Sequence, residues 1–396
     1  MPLTVLIAGG GIGGLALANG LRQAGVHATV YERDPSPRLR RQGYRIHIDA
    51  DGGQALRRCL PENLFLLYQA TSHRPTSARL SVVDYQLHQL STLDTSDPDF
   101  DPATAHTAVN RLTLRQIMLG GLDGAVRFDR RVIGVDQNRG GVTLRFDDGG
   151  TAHGDVLIAA DGVNSVIRRQ LLPHSRVTDT GLRAVYGTMP LAAARRGRLP
   201  QQIEQGFTAI IGPRGRTMAA ALMRQRTPVA EAVAELAPGL EVDSFTDYLM
   251  WVLVAPLAEF GLADEQLRHA ESDTLWRIAQ GLTEDWHPDI RGVIADAEVP
   301  NCFSLAIRSC LEVPELSAAP VTLLGDAIHA MPPAGGAGAN TALRDAALLT
   351  ERLAAVNAGT DSLPAALADY ATRMRDYATG AVRLSLRNSG LEYLLP

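Results

Sequence analysis

Residues 3–14 read LTVLIAGGGIGG, an apolar run that ends in a cluster of glycines. The apolar part predicts a buried β-strand, and the glycines follow the GxGxxG pattern that connects such a strand to a helix. Gly9 allows the tight turn, Gly11 lets the backbone approach a pyrophosphate, and Gly14 lets the helix pack closely on the strand. Glu32 ends the next predicted strand, 18 residues after Gly14. The stretch therefore predicts a βαβ unit that binds a dinucleotide.

The acidic residue at position 32 narrows the choice of dinucleotide. A carboxylate at this place can accept hydrogen bonds from both hydroxyls of an adenosine ribose, and it disfavours a 2′-phosphate. The helix N-terminus adds free N–H groups and the positive end of its dipole to the phosphates. We therefore expect FAD or NAD, rather than NADP, in this unit.

Composition excludes several other classes of protein. The chain has 396 residues and a net charge of −5, so it can bury a large core and offers no basic field for nucleic acid. No uninterrupted apolar run reaches the ~18–20 residues of a membrane span. Cys59, Cys302 and Cys310 are scattered and lack CxxC spacing. We therefore expect no disulfide framework, no metal site and a cytoplasmic location.

All 38 basic residues are arginine, which excludes any mechanism that needs a lysine.

Two further apolar strands end in a glycine and an aspartate. Residues 155–160 read DVLIAA and precede Asp161 and Gly162, and residues 321–324 read VTLL and precede Gly325 and Asp326. Such unalternating runs indicate buried parallel strands. Ligands of open α/β sheets bind outside the carboxyl ends of the strands. We therefore expect three strand ends to meet at one ligand.

The middle of the chain has a different pattern. Short strands separated by turns are predicted at 182–190, 206–212, 217–223 and 247–255, which indicates a second, antiparallel sheet inserted in the dinucleotide fold. Helices are predicted at 112–122, 273–281, 341–356 and 363–389, with Asn340 as the N-cap of the third.

The three strand-end motifs together resemble those of the single-component FAD-dependent aromatic monooxygenases of the para-hydroxybenzoate hydroxylase type. The resemblance covers nearly the whole chain. The matching residues are Gly9, Gly11, Gly14, Glu32 and Arg33; Asp161, Gly162, Ser165 and Arg168; Gly325, Asp326, His329, Pro333, Gly336, Gly338 and Asn340; and Arg111. The chain departs from the family pattern at Ala337, where many members have Gln, and at Ala339, which is often Met.

The resemblance implies an α/β fold: a Rossmann-like FAD-binding domain with an inserted antiparallel-sheet substrate domain and C-terminal helices. The FAD-binding domain would comprise residues 1–72, 103–175 and 271–356, the substrate domain 73–102 and 176–270, and the C-terminal helix 357–396. We expect none of the thioredoxin-like domain that longer phenol-hydroxylase relatives carry at the C-terminus.

The resemblance to this family also implies which residues form the cofactor site. Glu32 would hold the adenosine ribose, Asp326 the ribityl or pyrophosphate region, and Asp161 the FAD and, indirectly, the nicotinamide donor. The N-terminus of the helix after Gly336 would point at the flavin N1–C2=O edge. The FAD-binding set implied is Gly9, Gly11, Gly14, Glu32, Arg33, Arg111, Asp161, Gly325, Asp326, Pro333, Gly336, Gly338, Ala339 and Asn340.

The activity implied is hydroxylation of an electron-rich aromatic or polycyclic phenolic small molecule. NADPH or NADH would reduce the FAD, and O2 would add to give a flavin C4a-hydroperoxide that the ring attacks. The family has one Rossmann unit, so the nicotinamide donor has no domain of its own. A monomer or homodimer is expected, without nucleic acid or membrane partners.

Fewer motifs support the residues that are candidates for contact with the substrate than support the cofactor site. No catalytic base is evident, and Arg45 and His47 are candidates because their strand passes near the isoalloxazine in this family. In the inserted sheet, Tyr186 and Thr188 share one face, and Phe207 and Trp251 could line the same cavity. Met331 would border the flavin.

Other activities use the same FAD residues. A flavin-dependent reductase, an oxidative cyclase and a non-catalytic FAD-binding protein all remain open. Flavin halogenases share the first motif, but they need a lysine near the substrate, and the chain has neither a lysine nor a WxWxIP motif.

Overall fold

The computed structural model describes residues 2–37, 44–74, 79–94, 106–138, 140–193, 199–317 and 319–395. Parts of the predicted segment 73–102, namely 75–78 and 95–102, lie outside these residues. The strands are β1 (Thr4–Ala8), β2 (His27–Tyr31), β3 (Arg45–Ile48), β4 (Arg79–Asp84), β5 (Gln89–Asp94), β6 (Thr107–Asn110), β7 (Val126–Arg127), β8 (Val132–Asn138), β9 (Gly141–Phe146), β10 (Thr151–Gly154), β11 (Val156–Ala159), β12 (Val177–Pro190), β13 (Gly206–Ile211), β14 (Thr217–Met223), β15 (Tyr248–Pro256), β16 (Phe303–Cys310) and β17 (Val321–Leu323).

The α-helices follow the same chain order. They are α1 (Ile12–Gln23), α2 (Ala50–Cys59), α3 (Glu62–Thr71), α4 (Arg111–Gly120), α5 (Val166–Leu171), α6 (Gln201–Glu204), α7 (Val229–Leu236), α8 (Asp264–Arg268), α9 (Ser272–Leu282), α10 (Pro288–Ala295), α11 (Asp326–His329), α12 (Ala337–Asn357) and α13 (Leu363–Asn388). Within the described residues, every helix is too short or too polar to cross a membrane.

A parallel sheet carries the three glycine motifs. Its strand order is β17-β11-β1-β2-β7, and each neighbouring pair is parallel. The apolar central strands β1 and β11 are almost entirely buried, because α1 packs on the sheet and the three-stranded antiparallel sheet β10-β9-β8 contacts both strands. β1, β11 and β17 are adjacent, so their carboxyl ends lie at one edge. The Rossmann-like parallel sheet predicted from the sequence is confirmed.

The turn from β1 into α1 needs glycine at two positions. Gly9 has a φ of +111°, and a Cβ there would lie 2.3 Å from the carbonyl oxygen of Ala160. A Cβ on Gly14 would lie 2.2 Å from the carbonyl oxygen of Gly9. The first contact lets β1 turn beside the end of β11, and the second lets α1 pack directly on the turn.

The second sheet has seven strands in the order β16-β12-β15-β14-β13-β4-β5. It is antiparallel except that β4 and β13 run parallel. β16, in the segment 271–356 that we expected to bind FAD, pairs with β12 in this sheet. The 14-residue β12 pairs with β15 through residues 182–190 and with β16 through residues 177–186, with a shift of register between Asp179 and Arg183. The sheet is therefore wider than expected, and strands from three parts of the chain build it.

The two faces of the seven-stranded sheet pack differently. The outer face carries Trp251 and Val185 and packs against α8, α9 and α10 through residues such as Leu275 and Ile290. The inner face carries a smaller buried cluster that includes Tyr186 and residues of β14 and β15. Cross-strand partners point to one side of a sheet, and Tyr186 pairs with Val252 on β15.

Several boundaries differ from the sequence predictions. α12 begins at Ala337 rather than Thr341, and Gly336 is its N-cap, so Asn340 lies inside the first turn. The expectation that Asn340 caps this helix is wrong. The Asn340 side chain bonds to the backbone of residues 47 and 49 instead, and this contact fixes the glycine-rich start of the helix against β3. α3, α7, α10, β5 and β16 were not predicted.

The outer face yields a test of the sheet packing. Trp251 is fully buried, and a Cβ on Gly187 would lie 2.2 Å from its ring. Trp251→Ala should lower the free energy of unfolding by about 3–5 kcal/mol, because it leaves a large cavity between sheet and helices. Urea unfolding measures the change. Tyr393→Ala, which removes a side chain that is 74% exposed, is the control and should change stability by no more than about 0.5 kcal/mol. Equal stabilities of the two variants would contradict this packing.

Candidate active site

The first glycine loop is fixed from two sides by buried charged groups. The carboxylate of Glu32, which is 2% exposed, accepts hydrogen bonds from the N–H groups of Gly10 (2.7 Å) and Asp34 (3.0 Å). The fully buried guanidinium of Arg115 donates to the carbonyl oxygens of Gly10 (3.1 Å) and Pro37 (2.7 Å). Glu32 therefore organises the loop, and its contact with a ribose stays a prediction. Arg115 was not predicted as a site residue, although a charged residue on the buried face of α4 is a detectable signal.

The space in front of this loop is open. Gly11 is the N-cap of α1 with no side-chain cap, and a Cβ there would meet no atom within 4 Å. The first N–H groups of α1 therefore face free space, where an anion can accept their hydrogen bonds.

The second motif is braced to the third. Arg168, which is 3% exposed, donates to the carbonyl oxygens of Val163 (2.8 Å) and Ala327 (2.9 Å). Asp161 accepts a hydrogen bond from the N–H of Val166 through Oδ2 (2.9 Å). Its other oxygen is buried and has no hydrogen-bond partner among the described residues. Burial raises the pKa of this carboxyl. A buried acceptor without a donor fits a group that supplies one, such as a ligand hydroxyl or N–H.

A buried aspartate holds the third motif. Asp345 on α12 is fully buried and accepts hydrogen bonds from Gly325 N–H (2.9 Å), His329 Nε2 (2.7 Å) and Tyr377 O–H (2.5 Å). Asp345 also raises the pKa of His329, against the opposing effect of burial. His329 is thus held in position rather than free for proton transfer. Asp345 and Tyr377 were not predicted, although an aspartate in an apolar helix is a usable signal.

Asp326 faces a cleft. Its side chain is exposed to solvent, yet the surrounding protein desolvates the carboxyl and raises its pKa, while the charges of His329 and Arg111 act in the opposite direction. Exposure and desolvation together describe a side chain on the wall of a deep cleft. A Cβ on Gly338 would lie 3.9 Å from Asp326 Oδ1 and 3.7 Å from Met331 Cγ. The cleft therefore brings together four predicted site residues from three helices and a loop.

The start of α12 lies against β3. A Cβ on Gly336 would lie 2.9 Å from the Cβ of His47. Asn340 Nδ2 donates to the carbonyl oxygens of His47 (3.1 Å) and Gly336 (2.9 Å), which fixes the strand to the helix. His47 Nε2 lies 3.2 Å from His106 Nδ1, and burial, Arg45 and His106 lower the pKa of His47 to about 4. The His47 imidazole is therefore neutral at pH 7.

An aromatic cluster forms part of the inner sheet face. Tyr186 stacks on Phe303 with ring centroids 4.9 Å apart, and Tyr44 lies 5.1 Å from Tyr186. The guanidinium of Arg111 lies 5.8 Å from the centroid of Tyr44, which links this cluster to the cofactor side of the cleft. Phe303 and Tyr44 were not predicted as site residues.

The remaining substrate candidates divide between the two faces. The strand register places Thr188 and Phe207 on the inner face with Tyr186. Thr188 already accepts a hydrogen bond from Asn301 Nδ2 (3.0 Å). Trp251 lies on the outer face, in the core with α9 and α10. The expectation that Phe207 and Trp251 line the same cavity is therefore wrong, because the two side chains point to opposite sides of the sheet.

Three of the predicted cofactor residues have less distinctive surroundings. Arg33 and Pro333 are exposed, and Ala339 is partly buried in the first turn of α12. The carbonyl oxygen of Pro333 accepts a hydrogen bond from the N–H of Gly336 (3.0 Å), so this proline shapes the turn before the helix. Among the described residues, no cluster of three or more His, Cys, Asp or Glu side chains could hold a metal ion.

These features fit a bound FAD. Two uncapped helix N-termini, an orphaned oxygen on Asp161 and a desolvated Asp326 lie at or next to the carboxyl edge of the parallel sheet. An elongated anionic ligand with hydroxyl groups can satisfy all of them.

Comparisons with known proteins agree with this site. Residues 263–385 match the FAD binding domain family, and residues 7–57 match the NAD(P)-binding Rossmann-like domain family. A solved structure described as a putative FAD containing monooxygenase from Photorhabdus luminescens is 31% identical, with a TM-score of 0.82; the match covers 98% of this chain and 97% of that one.

Curated relatives show the same similarity. The dual O-methyltransferase/FAD-dependent monooxygenase elcB of Phaeosphaeria nodorum is 30% identical over 91% of this chain, and the match covers 41% of that protein. The 6-hydroxynicotinate 3-monooxygenase of Pseudomonas fluorescens is 26% identical, with 98% of this chain and 91% of that protein covered. The chain thus spans less than half the length of the first curated relatives that it matches, at 41% and 44%.

The full-length match to the Photorhabdus luminescens structure, the two domain matches and the geometry of the three glycine motifs lead to one assignment. The chain belongs to the family of FAD-dependent monooxygenases.

Proposed function

We propose that this protein hydroxylates an electron-rich aromatic or polycyclic phenolic small molecule, with FAD as cofactor, NADPH or NADH as electron donor and O2 as oxidant. The observation that supports the proposal is that Arg111, whose charge acts on Asp326, also lies over the ring of Tyr44 in the aromatic cluster of the inner sheet face. A cofactor at the motifs would lie beside a substrate on that face. Such junctions between sheets are where small-molecule sites form.

The cofactor would be held along its whole length. The N–H groups at the start of α1 would bind the pyrophosphate, and Asp326 and Arg111 would contact the middle of the molecule. The start of α12 would face the flavin ring, where its dipole favours negative charge by about 0.3–1 kcal/mol. FAD, when bound and reduced, supplies the electrons and the activated oxygen that hydroxylation needs.

The inner sheet face would hold the substrate and exclude water. Tyr186, Met250 and Val252 are each 6% exposed and present an apolar surface towards β3 and β6. A dry pocket prevents loss of activated oxygen as peroxide. The His47–His106 pair would offer a neutral hydrogen-bond partner to a substrate hydroxyl rather than a strong base, because the pKa of His47 is lowered to about 4.

The names of relatives support an aromatic substrate. One acts on 6-hydroxynicotinate, a hydroxylated aromatic ring. Another relative, at 22% identity, was solved with FAD and uric acid, and it supports the fold. We also propose a cytoplasmic location, because all three cysteines are buried free thiols.

Gly11→Val tests the cofactor loop. The valine side chain would fill the open space in front of α1 and block a pyrophosphate, so the protein should purify with little or no FAD. The flavin-to-protein absorbance ratio measures occupancy. Gly281→Val is the matched control and should remain yellow, because this exposed helical glycine has no atom within 4 Å of an added Cβ. Full occupancy in Gly11→Val would remove this loop from the site.

Asp326→Ala tests the cleft wall. Loss of a charge-assisted hydrogen bond costs about 1.5–3 kcal/mol, so the FAD dissociation constant should rise about 10- to 150-fold. Fluorescence titration of apoprotein measures it, and Asp123→Ala, at an exposed position, is the control. An unchanged dissociation constant in Asp326→Ala would exclude Asp326 from the cofactor site.

Isotope labelling tests the reaction. With an accepted aromatic substrate, NAD(P)H and O2 should be consumed together, and one atom from 18O2 should enter the product, because a monooxygenase inserts one of the two oxygen atoms. Mass spectrometry of the product measures the label. A product formed without label would favour a reductase or an oxidative cyclase that uses the same FAD residues, and a flavoprotein without turnover on any substrate would favour the non-catalytic alternative.

A further inference from the structure

Two tyrosines fasten the C-terminal helix α13 to the third glycine motif. Tyr370 is fully buried, and its hydroxyl donates to the carbonyl oxygen of Leu323 at the end of β17 (2.8 Å). Tyr377 follows seven residues later, so it lies two turns along the same face of the helix. Its hydroxyl donates to Asp345 Oδ1 (2.5 Å). The helix therefore contacts both the strand before the motif and the aspartate that holds the motif.

The two carboxylate oxygens of Asp345 have different partners. Oδ2 accepts hydrogen bonds from the N–H of Gly325 (2.9 Å) and from Nε2 of His329 (2.7 Å). Among the described residues, the hydroxyl of Tyr377 is the one hydrogen-bond donor to Oδ1. Asp345 is fully buried, and a buried carboxylate oxygen without a donor is unfavourable. Tyr377 therefore fixes the rotation of the carboxylate that the two bonds to Oδ2 require.

The ring of Tyr377 is itself held from outside. The guanidinium of Arg344 on α12 lies 4.1 Å from the ring centroid, and it forms an ion pair with Asp51 on α2 (3.1 Å). These three side chains help to line a cavity of about 380 Å³ between α2, α12 and α13. Tyr377 thus lies between this cavity and the buried Asp345, and its position is set by two other helices.

Asp345 holds both ends of the short helix α11. Gly325, whose N–H donates to the carboxylate, is the N-cap of this four-residue helix, and His329 is its last residue. Asp326, the first residue of α11, lies on the wall of the cofactor cleft. Because α11 is about one turn long, a movement of the Asp345 carboxylate shifts both ends of the helix, and Asp326 moves with them.

We propose that Tyr377 is a positioning residue of the cofactor site, which sets the place of Asp326 through Asp345 and thereby the affinity for FAD. This inference rests on the contact between Asp326 and FAD that is part of the proposed function. Tyr377 acts through α11 and not by contact with the cofactor. The C-terminal helix then contributes to cofactor binding, although it lies outside the segments that we expected to form the FAD-binding domain.

Tyr377→Phe tests the inference because it removes the hydroxyl and keeps the ring under Arg344. The FAD dissociation constant, from fluorescence titration of the apoprotein, should rise about fivefold, the effect of one lost hydrogen bond. Tyr370→Phe is the matched control, since it removes a buried hydroxyl from the same helix. Its partner Leu323 is also held by the pairing of β17 with β11, so the FAD dissociation constant should change less than about twofold. Melting temperatures of the two variants should fall by similar amounts and show that both are folded.

A double-mutant cycle separates positioning of Asp326 from a general loosening of the fold. In the Asp326→Ala background, Tyr377→Phe should change the FAD dissociation constant less than about twofold, because the group that it positions is gone. A second measurement is the imidazole N–H signal of His329 in the FAD-loaded, 15N-histidine-labelled protein. The signal, assigned by its loss in His329→Gln, should shift in Tyr377→Phe and stay in place in Tyr370→Phe.

The outcomes distinguish the inference from the contact on which it rests. An FAD dissociation constant within twofold of the parent in Tyr377→Phe would overturn the inference, and so would an equal loss of affinity in both backgrounds or an unshifted His329 signal. In each of these cases the contact survives if Asp326→Ala alone weakens FAD binding. An unchanged dissociation constant in Asp326→Ala alone would contradict the contact and the inference together.

Discussion

The three glycine loops at the edge of the parallel sheet all depend on buried charged side chains that bond to their backbone. Loops of this kind lie outside regular secondary structure, so their N–H and C=O groups need other partners. Glu32 and Arg115 satisfy the first loop, Arg168 spans the second and third, and Asp345 accepts from the third. Each brace comes from a different element, so the loop geometry requires that the surrounding helices are already packed.

This dependence explains which parts of the site the sequence could predict. The glycines were predictable because a positive φ or a close contact is a local requirement, as at Gly9 and Gly14. The strands before them were predictable because a buried parallel strand is apolar throughout. Arg115, Asp345 and Tyr377 were not predicted, because their roles arise from contacts with residues far away in the chain.

The seven-stranded sheet shows the same limit of prediction from sequence. Alternation of residues along β15 puts Met250 and Val252 on one face, but it does not show which face packs on the helices when both faces are covered. Trp251 belongs to the face that packs on helices, and nothing in its own strand indicates this. β4 and β16 join the sheet from distant segments, so the width of the sheet depends on tertiary pairing alone. The departure of the α12 start from its predicted position has a similar origin, since Asn340 fixes the turn through β3.

The uncapped N-termini of α1 and α12 have a further thermodynamic consequence. Neither Gly11 nor Gly336 provides a side-chain acceptor, so a bound ligand can supply the helix caps. A ligand that binds only the folded state shifts the folding equilibrium by mass action, by about 2.7 kcal/mol at a free concentration of 100 times its dissociation constant. The supply of cofactor in the cell would then set how much of the protein survives proteolysis, as well as how much is active.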